Sequence, residues 1–437
     1  MANSYLNRTN TSPSGSGYKY TFSAWIKRSK ISERQMFWRV LNPSATTYYA
    51  YMEFQADDRL HINDYSSNGT LDIVTTAYLR DTNAWYHIMG VVDTTQGAAA
   101  DRVKLYVNGS QVTALAASTL TVGQNQAITG TESGKTTYVG GDPANNTRFF
   151  DGYMSHVAFV DGSVVAPTAF GETDSTSGIW KFKSPSGVTW GNNGFHLKME
   201  NSGNLGLDSS GQTNNFTVNG NLKQSIDTPS IVYATFNPLD KSGGTVTTFS
   251  NGNTTTMHNA GNNGATTAAR STLGYSSGKW YWEAKCIATG GDVRTGIISM
   301  SSTNYATAAN PYTLNEAYNY KQNGQKGSSG DTNVSYAATY TAGDIIGIAH
   351  DADSGSLTFY KNGASQGVAF SGLSTSLTWG AFSTEYNQGK YSYNFGNGFF
   401  GTTAITSAGS NGNGSLFEYD VPSGYYALNT KNINTYG

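Results

Sequence analysis

Gly343-Asp-Ile-Ile-Gly-Ile-Ala-His-Asp351, Gly355-Ser-Leu-Thr-Phe-Tyr-Lys-Asn-Gly363 and Gly367-Val-Ala-Phe370 decide how this chain is read. The first is an apolar run bounded by turn residues, which predicts a buried strand. The second is a strand that turns at Asn362-Gly363 into the third, because Asn-Gly reaches the positive φ that tight hairpins demand. Upstream, Lys279-Trp-Tyr-Trp-Glu-Ala-Lys-Cys-Ile287 reads as one more strand. The same grammar runs through the N-terminal part. Tyr20-Thr-Phe-Ser-Ala-Trp-Ile-Lys27, Trp85-Tyr-His-Ile-Met-Gly-Val-Val92, Val103-Lys-Leu-Tyr-Val107 and Phe150-Asp-Gly-Tyr-Met-Ser-His-Val-Ala-Phe-Val160 alternate apolar and polar residues. Turn pairs separate the strands, among them Asn68-Gly69, Asn108-Gly109 and Asp161-Gly162. Short strands joined by such turns predict an all-β chain of antiparallel sandwiches or barrels. No amphipathic helix beyond about two turns and no heptad run is found.

Composition sets the bounds. With 437 residues, 13% charged and 13% aromatic, a net charge of −2 and 51 glycines, the chain lacks the basic field that phosphate-driven nucleic-acid binding needs. No stretch of about 18 apolar residues exists, so membrane insertion is not expected. The aromatic content argues against disorder. The one cysteine, Cys286, cannot form an internal disulfide and reads as a small core residue. Between the strand-rich blocks, Gly171 to Pro229 is rich in Gly, Ser, Asn and Thr yet holds Trp180, Phe182, Trp190, Phe195, Leu197 and Phe216. Leaving such groups wet forfeits roughly 1.5–3 kcal/mol each. The expected plan is therefore two antiparallel β-sandwiches, 1–170 and 234–437, joined by an ordered Gly/Asn-rich connector of short strands over 171–233.

Residues 1–170 resemble a laminin-G type, concanavalin A-like jelly roll. The resemblance rests on Phe22-Ser-Ala-Trp-Ile-Lys27, Trp85-Tyr-His-Ile-Met-Gly-Val-Val-Asp93, Val103-Lys-Leu-Tyr-Val-Asn-Gly109, and Tyr138-Val-Gly-Gly141 followed by Phe150-Asp-Gly-Tyr-Met-Ser-His-Val157. Residues 234–430 resemble a SPRY (B30.2-like) domain through Gly278-Lys-Trp-Tyr-Trp-Glu-Ala-Lys285, the two stretches after Gly343 and Gly355, and Trp379-Gly-Ala-Phe382. This pairing is similar to structural proteins of tailed bacteriophages, particularly marine ones. Such domains mostly bind glycans or proteins, some laminin-G modules with calcium, and neither fold fixes function by itself.

Chemistry is sparse. A retaining glycosidase needs two carboxylates about 5–5.5 Å apart, and the Glu-x-Asp-x-x-Glu spacing that would supply them on a strand is not found. Glu53 and Asp57 share a face, but Asp57-Asp58 falls in a turn. The six histidines form no i, i+2 or i, i+4 pair, so no zinc spacing is seen. There is no serine nucleophile elbow. Calcium is possible on Asp57, Asp58, Asp93 and Asp142. Tyr and Trp suit sugar recognition, giving large contact area with few rotamers to freeze. Trp38, Tyr48, Tyr49, Tyr51 and Tyr65 form one candidate cluster; Tyr305, Tyr312, Tyr318 and Tyr320 form another.

The expectation is a non-enzymatic virion surface protein, a tail fibre or receptor-binding appendage, that recognises a host-surface glycan or protein. The polar, low-charge composition resembles adhesive surfaces, and Met1-Ala-Asn-Ser-Tyr-Leu-Asn-Arg8 has no apolar secretory core; a virion protein released by lysis reconciles the two. The alternatives are a capsid or tail decoration protein whose loops touch other virion proteins, and a polysaccharide-degrading enzyme. A fibre would suit a trimer, but no heptads specify one.

Overall fold

A computed structural model describes every residue except 1–3, 43, 144–147, 243–246, 260–265, 304, 306, 309, 329 and 331–332, and for 45 and 46 the backbone alone. The chain divides into two compact units, Met1–Gln224 and Ser225–Gly437. Both are built from antiparallel sheets.

In the first unit an eight-stranded sheet runs in the order Leu115–Leu120, Gly69–Tyr78, Arg59–Ser66, Ala45–Phe54, Gln35–Asn42, Thr136–Val139, Tyr5–Thr9, Thr217–Asn219. A six-stranded sheet follows the order Phe195–Leu197, Gly152–Asp161, Lys19–Arg28, Trp85–Asp93, Val103–Val107, Ser110–Gln111. Period-2 alternation sends Tyr20, Phe22, Ala24 and Ile26 of one sheet against Ala50, Met52, Phe54, Leu60 and Ile62 of the other. The strand Lys19–Arg28 is buried on both faces after its first residue. A second apolar cluster explains this: Met89, Val91, Ala158 and Val160 on the outer face are covered by Phe170, with Val188 and Trp190 packed against them.

The covering segment lies in the expected connector, and its short strands are laid against the first sandwich. Phe195, Leu197 and Phe216 belong to the first core. Phe195–Leu197 and Thr217–Asn219 each add a strand to one of its sheets. Residues 171–224 therefore pack with the first sandwich, where Phe195, Leu197, Phe216 and Trp190 are covered, and 225–233 fall in the second unit. The hairpin at Asn108-Gly109 shows the same coupling. Both residues have positive φ (49° and 79°), as a two-residue turn requires. A Cβ on Gly109 would also stand 2.6 Å from the Trp180 ring. Asn362-Gly363 repeats the solution with φ of 48° and 80°, seating Tyr419 instead of Trp180.

In the second unit a seven-stranded sheet has the order Phe236–Ser242, Thr267–Ser271, Trp379–Tyr386, Asp292–Ser299, Ala317–Lys321, Gln325–Gly327, Val334–Ser335. The other sheet runs Thr247–Ser250, Thr255–His258, Lys390–Asn394, Lys279–Ala288, Ile345–Asp351, Ser356–Lys361, Ala364–Phe370, and Tyr426–Ala427 pairs parallel to Lys279–Ala288. Trp280, Trp282, Cys286, Ile346, Ile348, Phe359 and Trp379 fill the space between them. On the outer face Tyr281 packs against Phe417 and Val421 of the C-terminal segment. The buried Glu283 fastens that segment by accepting from the backbone N–H of Glu418 and of Tyr419, both at 2.9 Å. Among the described residues no helix is long and apolar enough to cross a membrane, which says nothing of strand-built spans.

Candidate functional site

Alternation along Ala45–Phe54 turns Ala50, Met52 and Phe54 into the first core and leaves Tyr49, Tyr51 and Glu53 on the outer face. Its neighbour Arg59–Ser66 does the same, with Leu60 and Ile62 inward and His61, Asn63 and Tyr65 outward. The register then sets cross-strand rows: Arg39 opposite Tyr51, Tyr51 opposite Asn63, Asn63 opposite Asp72. Beside these, Tyr49 faces Tyr65 and Glu53 faces His61. Side chains in such rows stand within contact distance.

The result is a tyrosine cluster. Tyr49 stacks on Tyr51 at 5.7 Å between ring centroids, and Tyr65 packs against Tyr49 at 5.6 Å and Tyr48 at 5.4 Å. Tyr48, Tyr49 and Tyr65 remain partly exposed, while Tyr51 is nearly covered and meets the His61 ring edge-on at 5.1 Å. Arg39 and Lys135 lie over Tyr49 and Tyr48, each at 5.7 Å. Among the described residues, no apolar cluster like the one on the six-stranded sheet packs on this face.

A charged network borders the rings. The His61 Nδ1 is 3.2 Å from Glu53 Oε1 and its Nε2 is 2.9 Å from Asp72 Oδ1. Asn63 Nδ2 donates to Asp72 Oδ2 at 2.7 Å, and the Arg34 guanidinium grips Glu53. Burial alone would lower the His61 pKa, but the Asp72 and Glu53 carboxylates overcome it and hold it above the ordinary value. The same contacts overcome the burial that would raise Glu53 and Asp72, and both lie below their usual values. The imidazole separates the two carboxylates, so their oxygens do not converge on one point, and no group of three or more His, Cys, Asp or Glu able to hold a metal stands among the described residues. Glu53, His61, Asn63 and Asp72 were not singled out by sequence reasoning as a site. The period-2 spacing of His61, Asn63 and Tyr65 was the available signal; the register that adds Glu53 and Asp72 was not.

Other expected site residues move elsewhere. Trp38 is fully buried between Tyr20, Phe22 and Phe159 (5.5, 5.2 and 5.8 Å), since the strand shifts register between Met36 and Trp38 and both Phe37 and Trp38 enter the core. The second tyrosine cluster dissolves. Tyr320 lies in the core of the second unit, and Tyr318, two residues earlier on the same face, packs on Phe370 and Trp379. Tyr305 is buried beneath its loop against Phe382 with the Arg270 guanidinium 4.4 Å from its ring; Tyr312 covers Arg294 at 3.6 Å. Asn304, Ala306 and Ala309 of that loop lie outside the described residues. A shallow polar hollow of about 330 Å³ opens between Ser301–Thr303 and Thr313–Glu316, and another of about 400 Å³ lies along Lys198–Asn204. Neither includes the tyrosine face.

The four aspartates expected to hold calcium are engaged separately. Asp58 is buried between Arg28 and Arg80 (3.0 and 2.9 Å), and the buried Asp142 pairs with Arg39. Asp57 pairs with Arg59, and Asp93 pairs with Lys19 at 3.5 Å and accepts from Thr95. Their charges are met by arginines and lysines, and the four do not assemble into one oxygen shell.

With this geometry in view, the family comparisons are consistent with it. Residues 2–169 match the Concanavalin A-like lectin/glucanases superfamily (Laminin_G_3), and residues 279–397 match the SPRY domain. The chain thus carries a concanavalin A-like domain of laminin-G type followed by a SPRY domain, and both kinds of domain fit a binding role. Similar solved structures include the SPRY domain of human HERC1 (17% identity, TM-score 0.31, covering 36% of this chain and 96% of that one). The TRIM65 PSpry domain is comparable (17%, TM-score 0.28, 36% and 89%), as is a heptameric SAP-like pentraxin from Limulus polyphemus (17%, TM-score 0.28, 37% and 71%). No curated protein matches the chain.

Proposed function

We propose that this protein is a non-enzymatic adhesin of a virion surface, a tail fibre or receptor-binding appendage of a bacteriophage, that recognises a host-surface glycan with the outer face of its first sandwich. The observation that carries this reading is the convergence of Tyr49, Tyr51 and Tyr65 beside Asn63 and Asp72 on one sheet face, with the Tyr48 ring edge-on against Tyr65. Partly exposed rings suit the C–H faces of a sugar, and the bordering amide and carboxylate suit its hydroxyls. The absence of catalysis is part of the proposal. Glu53 is fully buried and already bound to Arg34 and His61, so it cannot reach a glycosidic bond without breaking both contacts. Each ring contributes on the order of 0.5–1.5 kcal/mol, so single-site affinity is weak and display in many copies raises it.

The test uses the purified full chain with host cells and with their isolated envelope polysaccharide. Binding without release of reducing ends is expected. Release of reducing ends would make it an enzyme, and no binding to either would remove the adhesin reading.

A further inference from the structure

The eight-stranded sheet of the first unit ends on the strand Leu115–Leu120, which among the described residues has only Gly69–Tyr78 as a strand neighbour. An edge strand presents a row of unpaired N–H and C=O groups, and proteins normally blunt such edges with charge, proline, bulges or shortness. Among the described residues, the other edges of the four large sheets follow that rule. Phe236–Ser242 carries Pro238, Asp240 and Lys241, and Ala364–Phe370 is broken by register shifts. Thr217–Asn219, Phe195–Leu197, Ser110–Gln111, Val334–Ser335 and Thr247–Ser250 are at most four residues long. Leu115–Leu120 is six residues, Leu-Ala-Ala-Ser-Thr-Leu, with five of them exposed and one register shift confined to its start. It lies in the run from Leu105 to Thr131, which contains no charged residue at all.

The outward groups can be assigned. Thr121 N–H bonds to Thr70 O, and the register continues Leu120–Leu71, Thr119–Asp72, Ser118–Ile73, Ala117–Val74. Backbone direction alternates along a strand, so Thr119 and Ala117 bond inward while Ser118 and Leu120 turn their N–H and C=O to the open edge.

We infer that Leu115–Leu120 is a self-association edge on which a second copy of this chain adds its own Leu115–Leu120 antiparallel, about a two-fold axis through Ser118. That axis is perpendicular to the sheet, since only there do two related strands run antiparallel. It sets Ser118 opposite Ser118, a pair that exchanges N–H···O bonds, and Ala117 opposite Thr119. A foreign strand would meet the same backbone, but this strand's own image meets it with small uncharged side chains and no like charge. The axis keeps the outer faces of both copies on one side of a continuous sheet. On the reading above, the dimer would then present two tyrosine faces in one direction, which raises avidity without any new ligand contact.

Light scattering of the full chain tests the pairing, and it is independent of any ligand. A mass twice that of the chain is expected, falling to the single-chain mass for Ala117→Lys with Thr119→Lys while circular dichroism is unchanged. Both positions are exposed, so the sandwich can keep its fold. Cys286 is buried, so Ser118→Cys supplies the accessible thiol. Its mate across a hydrogen-bonded pair has a Cα about 5.5 Å away, within disulfide reach. Mild oxidation should give a covalent dimer, and Ser376→Cys on the second unit should not. A single-chain mass at every concentration, or a dimer that survives the double lysine variant, overturns the inference.

Discussion

His87 offers the sharpest quantitative test of how the connector is held. Its ring is stacked between Trp25 and Trp180, at 5.0 and 5.9 Å. Trp180 Nε1 donates to His87 Nδ1 at 3.1 Å, and Nε2 stands 2.8 Å from Ser23 Oγ. An indole N–H can only donate, so Nδ1 is the bare nitrogen and the imidazole is neutral. Protonation would break the Trp180 bond and place a charge in an apolar layer. Burial accordingly pushes the His87 pKa down to about 3, from an ordinary value of 6.5. A group depressed in this way binds fewer protons folded than unfolded. Its stability contribution is complete above the unfolded pKa and is lost as pH falls toward the folded one. Between about pH 7 and about pH 5 the loss for one such group is roughly 2 kcal/mol. His87→Gln keeps an acceptor and a donor but does not titrate. Urea unfolding of both proteins at the two pH values is the assay. The wild type should lose roughly 2 kcal/mol more than the variant across that interval. Other titrating groups, including His61 with its raised pKa, are common to both proteins and drop out of the difference. Parallel losses would refute the buried neutral imidazole and with it the Trp180 clasp.

Gly109→Ala should destabilise the first unit by more than about 1 kcal/mol in a thermal melt, because a left-handed turn position and the Trp180 ring both exclude a Cβ. Glu283→Ala orphans the N–H groups of Glu418 and Tyr419, at roughly 1–3 kcal/mol each, and limited proteolysis should then cut the C-terminal segment first. Tyr49→Ala and Tyr65→Ala should each weaken binding to host polysaccharide about 2- to 10-fold with little change in melting temperature, since both rings are partly exposed. Adding calcium should leave the melting temperature unchanged; a rise that magnesium does not reproduce would show that Asp57, Asp58, Asp93 or Asp142 gives up its ion pair.

What could be read from the sequence follows from what is local. Asn108-Gly109 and Asn362-Gly363 announce hairpins because the backbone conformation they need is a property of two residues. Strand alternation likewise separates Tyr49 and Tyr51 from Ala50 and Met52. Alternation does not say which face meets a partner sheet. For that reason Tyr318 and Tyr320, which share a face just as Tyr49 and Tyr51 do, could not be distinguished from a surface pair. Trp38 escaped because a register shift at Met36 breaks the two-residue period. Glu53, His61 and Asp72 lie on three strands and meet only through register, which the hairpin lengths set and side-chain spacing does not. The connector's Trp180 and Phe182 demanded cover, but their partners His87 and His156 lie on strands of the first sandwich well upstream in sequence.

Hydrogen–deuterium exchange of the full chain with and without host envelope polysaccharide bears most directly on the binding face. Protection should concentrate in Ala45–Phe54 and Arg59–Ser66, where the tyrosines stand. Protection confined to the loop over residues 301–316, or none in the first unit, would contradict the account.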